Sequence, residues 1–159
     1  MSDKSKLAQE LFKQGYNCSQ AVFTAYANDY GIDKETALKL SASFGGGMGR
    51  MREVCGALSG IFMVAGLETG ATDGKDAEGK KANYDLVQEI ADKYRKCNGS
   101  IYCRDLLGLS KNTGTQGFTQ TTPEERTETY YKKRPCVELV GQVCEIFEEL
   151  KKEKMSELQ

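Results

Sequence analysis

Histidine and tryptophan are both missing from the 159 residues, and proline occurs only twice. Without histidine there can be no Cys–His nucleophile pair, no imidazole general base and no histidine-containing metal site. A charge excess is missing too. Lys and Arg number 22 against 23 Asp and Glu, a net charge of -1, which speaks against a dedicated binder of nucleic acid or anionic membrane. The longest uncharged apolar run, between Glu53 and Glu68, holds 14 residues, whereas a membrane span needs about 20. The opening Met1-Ser2-Asp3-Lys4 runs into a charged amphipathic segment rather than a basic-then-apolar export signal. The expected location is therefore cytoplasmic, with neither nucleic acid nor membrane as a partner.

Six cysteines are present: Cys18, Cys55, Cys97, Cys103, Cys136 and Cys144. In a reducing compartment an even count is not by default a disulfide framework, and metal-binding or redox roles gain weight.

The pattern of apolar residues and breakers reads as helices joined by glycine and polar turns, with no strand-like alternation, repeat or linker between two cores. The expectation is one all-α domain over residues 1–159, a bundle of about five to seven helices. Helices are predicted from Lys4 to Lys13, with Leu7 and Leu11 four apart, and from Cys18 to Asp29 after an Asn17 cap. A third is capped by Asp33, carries Ala37, Leu40 and Phe44 on one face, and stops at Gly45-Gly46-Gly47. Val54 to Leu67 is apolar almost all round and rich in Gly and Ala, so it is placed at the centre of the domain. Tyr84, Val87, Ala91 and Tyr94 mark a long amphipathic helix ending near Asn98, and Ser100 is a candidate cap for a short one, Ile101 to Leu107. Residues 110–129, broken by Gly114, Gly117 and Pro123, read as a long surface loop and a candidate lid, with a helical turn after Pro123. The last helix runs from Pro135 to about Lys154, with Val140, Val143, Phe147 and Leu150 as its stripe.

Four cysteines fall in the first turn of a predicted helix: Cys18, Cys55, Cys103 and Cys136. Unpaired N–H groups and a partial positive charge at that end stabilise a thiolate or any anionic sulfur centre. Arg50 and Arg52 precede Cys55, Arg104 adjoins Cys103 and Arg134 precedes Cys136, adding to the electropositive setting. Cysteine is also a common small core residue. That role suits Cys144, on a face with Val137, Val140 and Phe147, and Cys97, at a helix C-terminus where the dipole disfavours a thiolate.

Asn17-Cys18-Ser19-Gln20-Ala21-Val22, the loop Phe44 to Arg52, and Val54-Cys55-Gly56-Ala57-Leu58-Ser59-Gly60, with Cys103 and Cys136 beyond, resemble the C_GCAxxG_C_C family of redox-active proteins. The resemblance extends from about Leu7 to Leu150. It implies a redox role for Cys18, Cys55, Cys103 and Cys136, and a related domain of the family occurs joined to haem-binding segments in electron-transfer proteins. The family name writes its block as Gly-Cys-Ala, where this chain has Cys55-Gly56-Ala57, and Cys97 and Cys144 have no counterpart in it. No Cys-x-x-Cys-His haem site is present.

Two chemistries suit four helix-capped thiols. They can converge on one iron-sulfur cluster, which is commonly held by four thiolates and needs no histidine, or cycle as dithiol and disulfide with a partner redox protein. A structural zinc site is a third reading, although the close Cys pair usual in zinc knuckles is missing, and a non-catalytic interaction domain stabilised by its thiols is a fourth. The loop Gly45 to Arg50 allows an anion-cradling reading for Gly46, Gly47 and Arg50. It matches no Walker or dinucleotide pattern, and a close-packed turn that delivers Cys55 to the other thiols is the simpler account.

Overall fold

The structure, a computed structural model, describes residues 1–109 and 120–158. Among the described residues it is all-helical, with eight α-helices: α1 (Asp3–Lys13), α2 (Cys18–Ala27), α3 (Lys34–Ser41), α4 (Gly56–Thr69), α5 (Ala77–Asn98), α6 (Cys103–Leu106), α7 (Glu128–Lys133) and α8 (Cys136–Glu157). That slightly exceeds the five to seven expected, because the helical turn expected after Pro123 forms a helix of its own, α7.

Local chemistry sets most boundaries. Ser2, Asn17, Asp33, Asp76 and Thr127 each accept a hydrogen bond from the backbone three residues on and so cap α1, α2, α3, α5 and α7. At α2 the cap is reciprocal, since Gln20 accepts from the Asn17 N–H in return. Helix α4 is the centre of the domain. Ala57, Leu58, Ile61, Val64 and Ala65 are inaccessible to solvent, and α2, α5 and α8 pack around it. Gly60 makes the α2 approach possible: a Cβ there would stand 2.9 Å from the Ser19 carbonyl oxygen and 3.0 Å from Val22 Cβ. Helix α1 closes the bundle against α2 and α8.

Several expectations are corrected. Leu40 is 54% and Tyr84 60% exposed, so neither lies on the buried stripe assigned to it. Ser100 does not cap α6. Its hydroxyl bonds Asp105, the Tyr102 N–H bonds back to Ser100, and Tyr102 occupies the cap position. Ala42–Phe44 tightens to a 3-10 turn rather than continuing α3. Of the expected loop 110–129, residues 110–119 lie outside the described residues; its far end is helical, because Thr127 accepts from the Tyr130 N–H and starts α7. An isolated antiparallel bridge between Val54 and Tyr102 has no counterpart in the sequence pattern.

Candidate functional site

Each of the four cysteines begins a helix. Cys18, Cys103 and Cys136 are the first residues of α2, α6 and α8, and Cys55 is the cap of α4. These four ends meet. Cys18, Cys55, Cys103 and Cys136 all line one cavity of about 280 Å³, together with Gly46, Gly47, Arg50, Arg52, Arg126 and Arg134.

Backbone pairing delivers two of the thiols. The Cys55 N–H donates to the Ile101 carbonyl at 2.8 Å and the Cys103 N–H to the Glu53 carbonyl at 2.7 Å, on either side of the Val54–Tyr102 bridge. The glycine turn fixes this ladder from below, since the Arg52 and Glu53 N–H groups donate to the carbonyls of Gly46 and Gly47. Five successive residues, Gly46 to Arg50, have φ between 57° and 69°, a left-handed turn that only glycine enters without cost. At Gly47 there is also no room: a Cβ would lie 2.6 Å from Cys103 Cβ and 2.8 Å from the Glu53 nitrogen. At Gly56 a Cβ would approach Cys18 Cβ to 3.1 Å. The simpler account of the loop, a close-packed turn that assembles the thiols, is thus visible in its contacts. Gly46, Gly47 and Arg50 also line the cavity.

The thiols differ in electrostatic state. The Cys18 and Cys136 thiols act on each other. Cys18 holds its proton more tightly, its pKa raised well above the ordinary value first by its interaction with Cys136 and second by burial. The pKa of Cys136 is lowered by its interaction with Cys18 and then by Arg134, Arg126 and Arg52, against the opposing effect of burial. Burial pushes Cys55 up to about 11 despite the phenol of Tyr94, 3.3 Å from its sulfur. The Ala57 and Leu58 amides at the open end of α4 pull the same way as Tyr94 without completing a capping bond. Cys103 is also raised by burial, although Arg52 Nη1 donates to its sulfur at 3.5 Å.

Arginine dominates the rest of the lining. Arg52 is only 2% exposed, so its charge is a buried one beside the thiols. Arg126 donates to the carbonyls of Phe12 and Tyr16 at 3.0 Å each and stacks on Phe12 and Tyr130. Arg134 pairs with Glu124 and lies over the Tyr130 ring, and Arg50 Nε donates to the Gln120 carbonyl at 2.8 Å. These bonds hold the segment around Pro123 against the mouth of the cavity. The guanidinium of Arg50 is disfavoured first by burial and then by Arg52 and Arg134, a local excess of positive charge.

Cys97 is exposed at the end of α5, and Cys144 is buried in the core, where its thiol donates to the Val140 carbonyl at 3.2 Å. Neither lines the thiol cavity. Two groups at the site escaped the sequence reading. Tyr94 reads there as one more apolar position of α5, and Arg126 as a loop charge; only the fold brings them to the thiols. Among the described residues, no three Cys, Asp or Glu side chains form a group that could hold a single metal ion, and no helix is long and apolar enough to cross a membrane.

An all-helical domain with four helix-starting thiols around one arginine-lined cavity defines a class of small proteins organised about a cysteine centre. The chain belongs to the C_GCAxxG_C_C family, described as "Putative redox-active protein (C_GCAxxG_C_C)", which it matches over residues 16–150. No curated protein and no solved structure matches it.

Proposed function

We propose that the protein is an electron-transfer protein whose Cys18, Cys55, Cys103 and Cys136 ligate one iron-sulfur cluster. The observation that carries this reading is that all four thiols, and neither of the other two, line the same cavity. A dithiol couple needs two sulfurs and no chamber; here four enclose a space from which Cβ atoms are excluded at Gly47. The donor set fits the group. A two-iron cluster takes two thiolates per iron and a four-iron cluster one per iron, so the sulfurs surround an inorganic core rather than gather about one point. The Cys18 and Cys136 thiols act on each other, and the ladder across Val54 and Tyr102 carries Cys55 and Cys103. A lone zinc ion, which wants four ligands around one centre, has less support.

When bound, such a cluster supplies one-electron transfer without net bond making. The chain's own residues do the rest. Arg52 and Arg134 offset anionic sulfur in a buried site where the unpaired charge would be costly. The Tyr94 hydroxyl and Arg52 Nη1 are placed as donors to Cys55 and Cys103, and donors to sulfur favour the more reduced, more negative state. The segment around Pro123 limits water entry.

The opposite pKa shifts of Cys18 and Cys136, which line the same cavity and act on each other, favour a second reading, a metal-free dithiol couple. In it, Cys136 thiolate and Cys18 thiol form one S–S bond while two electrons and one proton pass to an acceptor disulfide, which takes up a second proton from water as it becomes a dithiol. Anaerobic purification, followed by iron, sulfide and zinc analysis with visible and electron paramagnetic spectra, separates these cases. Iron with acid-labile sulfide, lost on Cys→Ser change at each of the four positions, is the expected result. Colourless metal-free protein that gains a Cys18–Cys136 disulfide on mild oxidation selects the dithiol couple, and stoichiometric zinc without iron overturns both.

A further inference from the structure

Sharing Arg134 with the thiol cavity is an open groove lined by Lys13, Lys132, Lys133, Arg134 and Tyr131, with Glu138 as its one carboxylate. Lys13, Lys132 and Lys133 are exposed, and none of them makes an ion pair with a described residue. With Arg134 already paired to Glu124, three lysines against one anion is still a sharp local contrast in a chain whose net charge is -1. Arg134 and the residues either side of it tie the groove to the redox site. Arg134 lines both the groove and the thiol cavity, and Pro135 of the groove is followed directly by Cys136.

We propose that this groove is the docking surface for the protein's electron-transfer partner, and that the partner is a small protein presenting an acidic face. The inference rests on the redox reading of the four thiols. Electron-exchange encounters are brief and small, at the low end of interface sizes, roughly 1,200 Å² or less in total. Opposite charge on two such surfaces accelerates the encounter without requiring a large buried apolar patch. A partner seated here would contact Pro135, the residue before Cys136. The near-neutral net charge favours a protein over nucleic acid or an anionic membrane, because those surfaces demand an overall basic footprint. One electron passes from the partner's reduced carrier, such as a flavin hydroquinone, which becomes the semiquinone, to the oxidised thiol-ligated centre, which becomes reduced by one.

The test uses the full chain with an acidic flavodoxin as donor and a basic cytochrome c as a probe of opposite charge. The flavodoxin-to-centre rate and the flavodoxin dissociation constant are followed from ~10 mM to ~0.5 M salt, a range over which surface charges go from exposed to screened. The same measurements are made on Lys132→Glu/Lys133→Glu and on Lys13→Glu. The expected result is a rate and an affinity for flavodoxin that fall about tenfold or more in the double variant and with salt, while cytochrome c responds in the opposite sense. The helical circular dichroism and the spectrum of the centre should stay unchanged. Flavodoxin binding and rate that ignore both salt and the lysines overturn the docking surface. So does duplex DNA or a phosphatidylserine vesicle that binds at least as tightly as flavodoxin and loses affinity in the double variant. If the protein has no redox centre yet binds flavodoxin through these lysines, the surface stands and the redox reading falls; a working centre with no lysine-dependent binding leaves the redox reading and removes the surface.

Discussion

Tyr94 is inaccessible to solvent, and its hydroxyl has Cys55 Sγ as its neighbour at 3.3 Å. A donor aimed at a ligating sulfur stabilises the reduced centre more than the oxidised one, because reduction adds negative charge there. Tyr94→Phe keeps the ring and removes that donor. The reduction potential should shift negative with the helix content unchanged; potentiometry that finds no shift refutes the role. The thiols themselves predict a pH dependence in the metal-free protein. Cys55 ionises near its ordinary value of 9.0 in the unfolded chain and at about 11 in the fold. As pH rises through this window the unfolded state sheds its proton first, so stability is intact below about 9 and declines towards 11, by up to roughly 3 kcal/mol. Denaturant melts across that range should show the decline, and Cys55→Ala should flatten it. Cys136 moves the other way. Among the four cavity thiols it should be the first alkylated by iodoacetamide near neutral pH, and Cys18→Ser should slow it, about tenfold for each unit its pKa recovers. At this scale the sequence was informative where charge is covalently adjacent, as at Arg134 and Cys136. It was silent on Tyr94, because a phenol on an apolar helical stripe looks the same whether or not a sulfur waits beside it.

The left-handed turn is the element on which the site depends. Gly46, Gly47 and Gly49 enter it freely, whereas Met48 and Arg50 hold φ of 63° and 65°, a conformation that costs a side chain on the order of 1–2 kcal/mol. Arg50 retains a use for this position, since its guanidinium holds the Gln120 carbonyl. Met48 is only half-buried, and Met48→Gly should stabilise the fold by about 1 kcal/mol, read as a higher denaturant midpoint. Gly47→Ala is the opposite case. The added Cβ meets Cys103 Cβ at 2.6 Å and backbone at 2.8 Å, neither of which can swing aside, so a loss of roughly 2–4 kcal/mol is expected together with a displaced Cys103. A variant as stable as the parent would show that the turn is pliable. The three glycines marked a helix stop in the sequence, and caps such as Asn17 and Asp33 were equally legible because their hydrogen bonds are local. The bridge between Val54 and Tyr102, 48 residues apart, was not, since a single paired residue leaves no periodic trace. Leu40 misled for a related reason: helical spacing says which residues share a face, but not which face the rest of the fold covers.

In the whole molecule the four thiols come from α2, α4, α6 and α8, so one centre ties together segments from residue 18 to residue 136. Any group that binds this arrangement and not the unfolded chain adds its binding free energy to folding. Under the proposed cluster reading, loaded protein should therefore melt at least ~10 °C above protein stripped with chelator, given that 1 kcal/mol moves the midpoint of a domain this size by about 2–4 °C. The gain should vanish on Cys→Ser change at any one of the four positions. It should survive at Cys97, which is exposed, and at Cys144, where Cys→Ala lowers both midpoints together by opening a small void in the core. The pattern matters more than the size of the shift. A gain abolished by only two of the four substitutions, Cys18 and Cys136, would mean that these two thiols work alone. A gain requiring all four means that α2, α4, α6 and α8 are held by one object in the space they enclose. Anaerobic scanning calorimetry on loaded and stripped protein, run on the six single-cysteine variants in parallel, distinguishes the two.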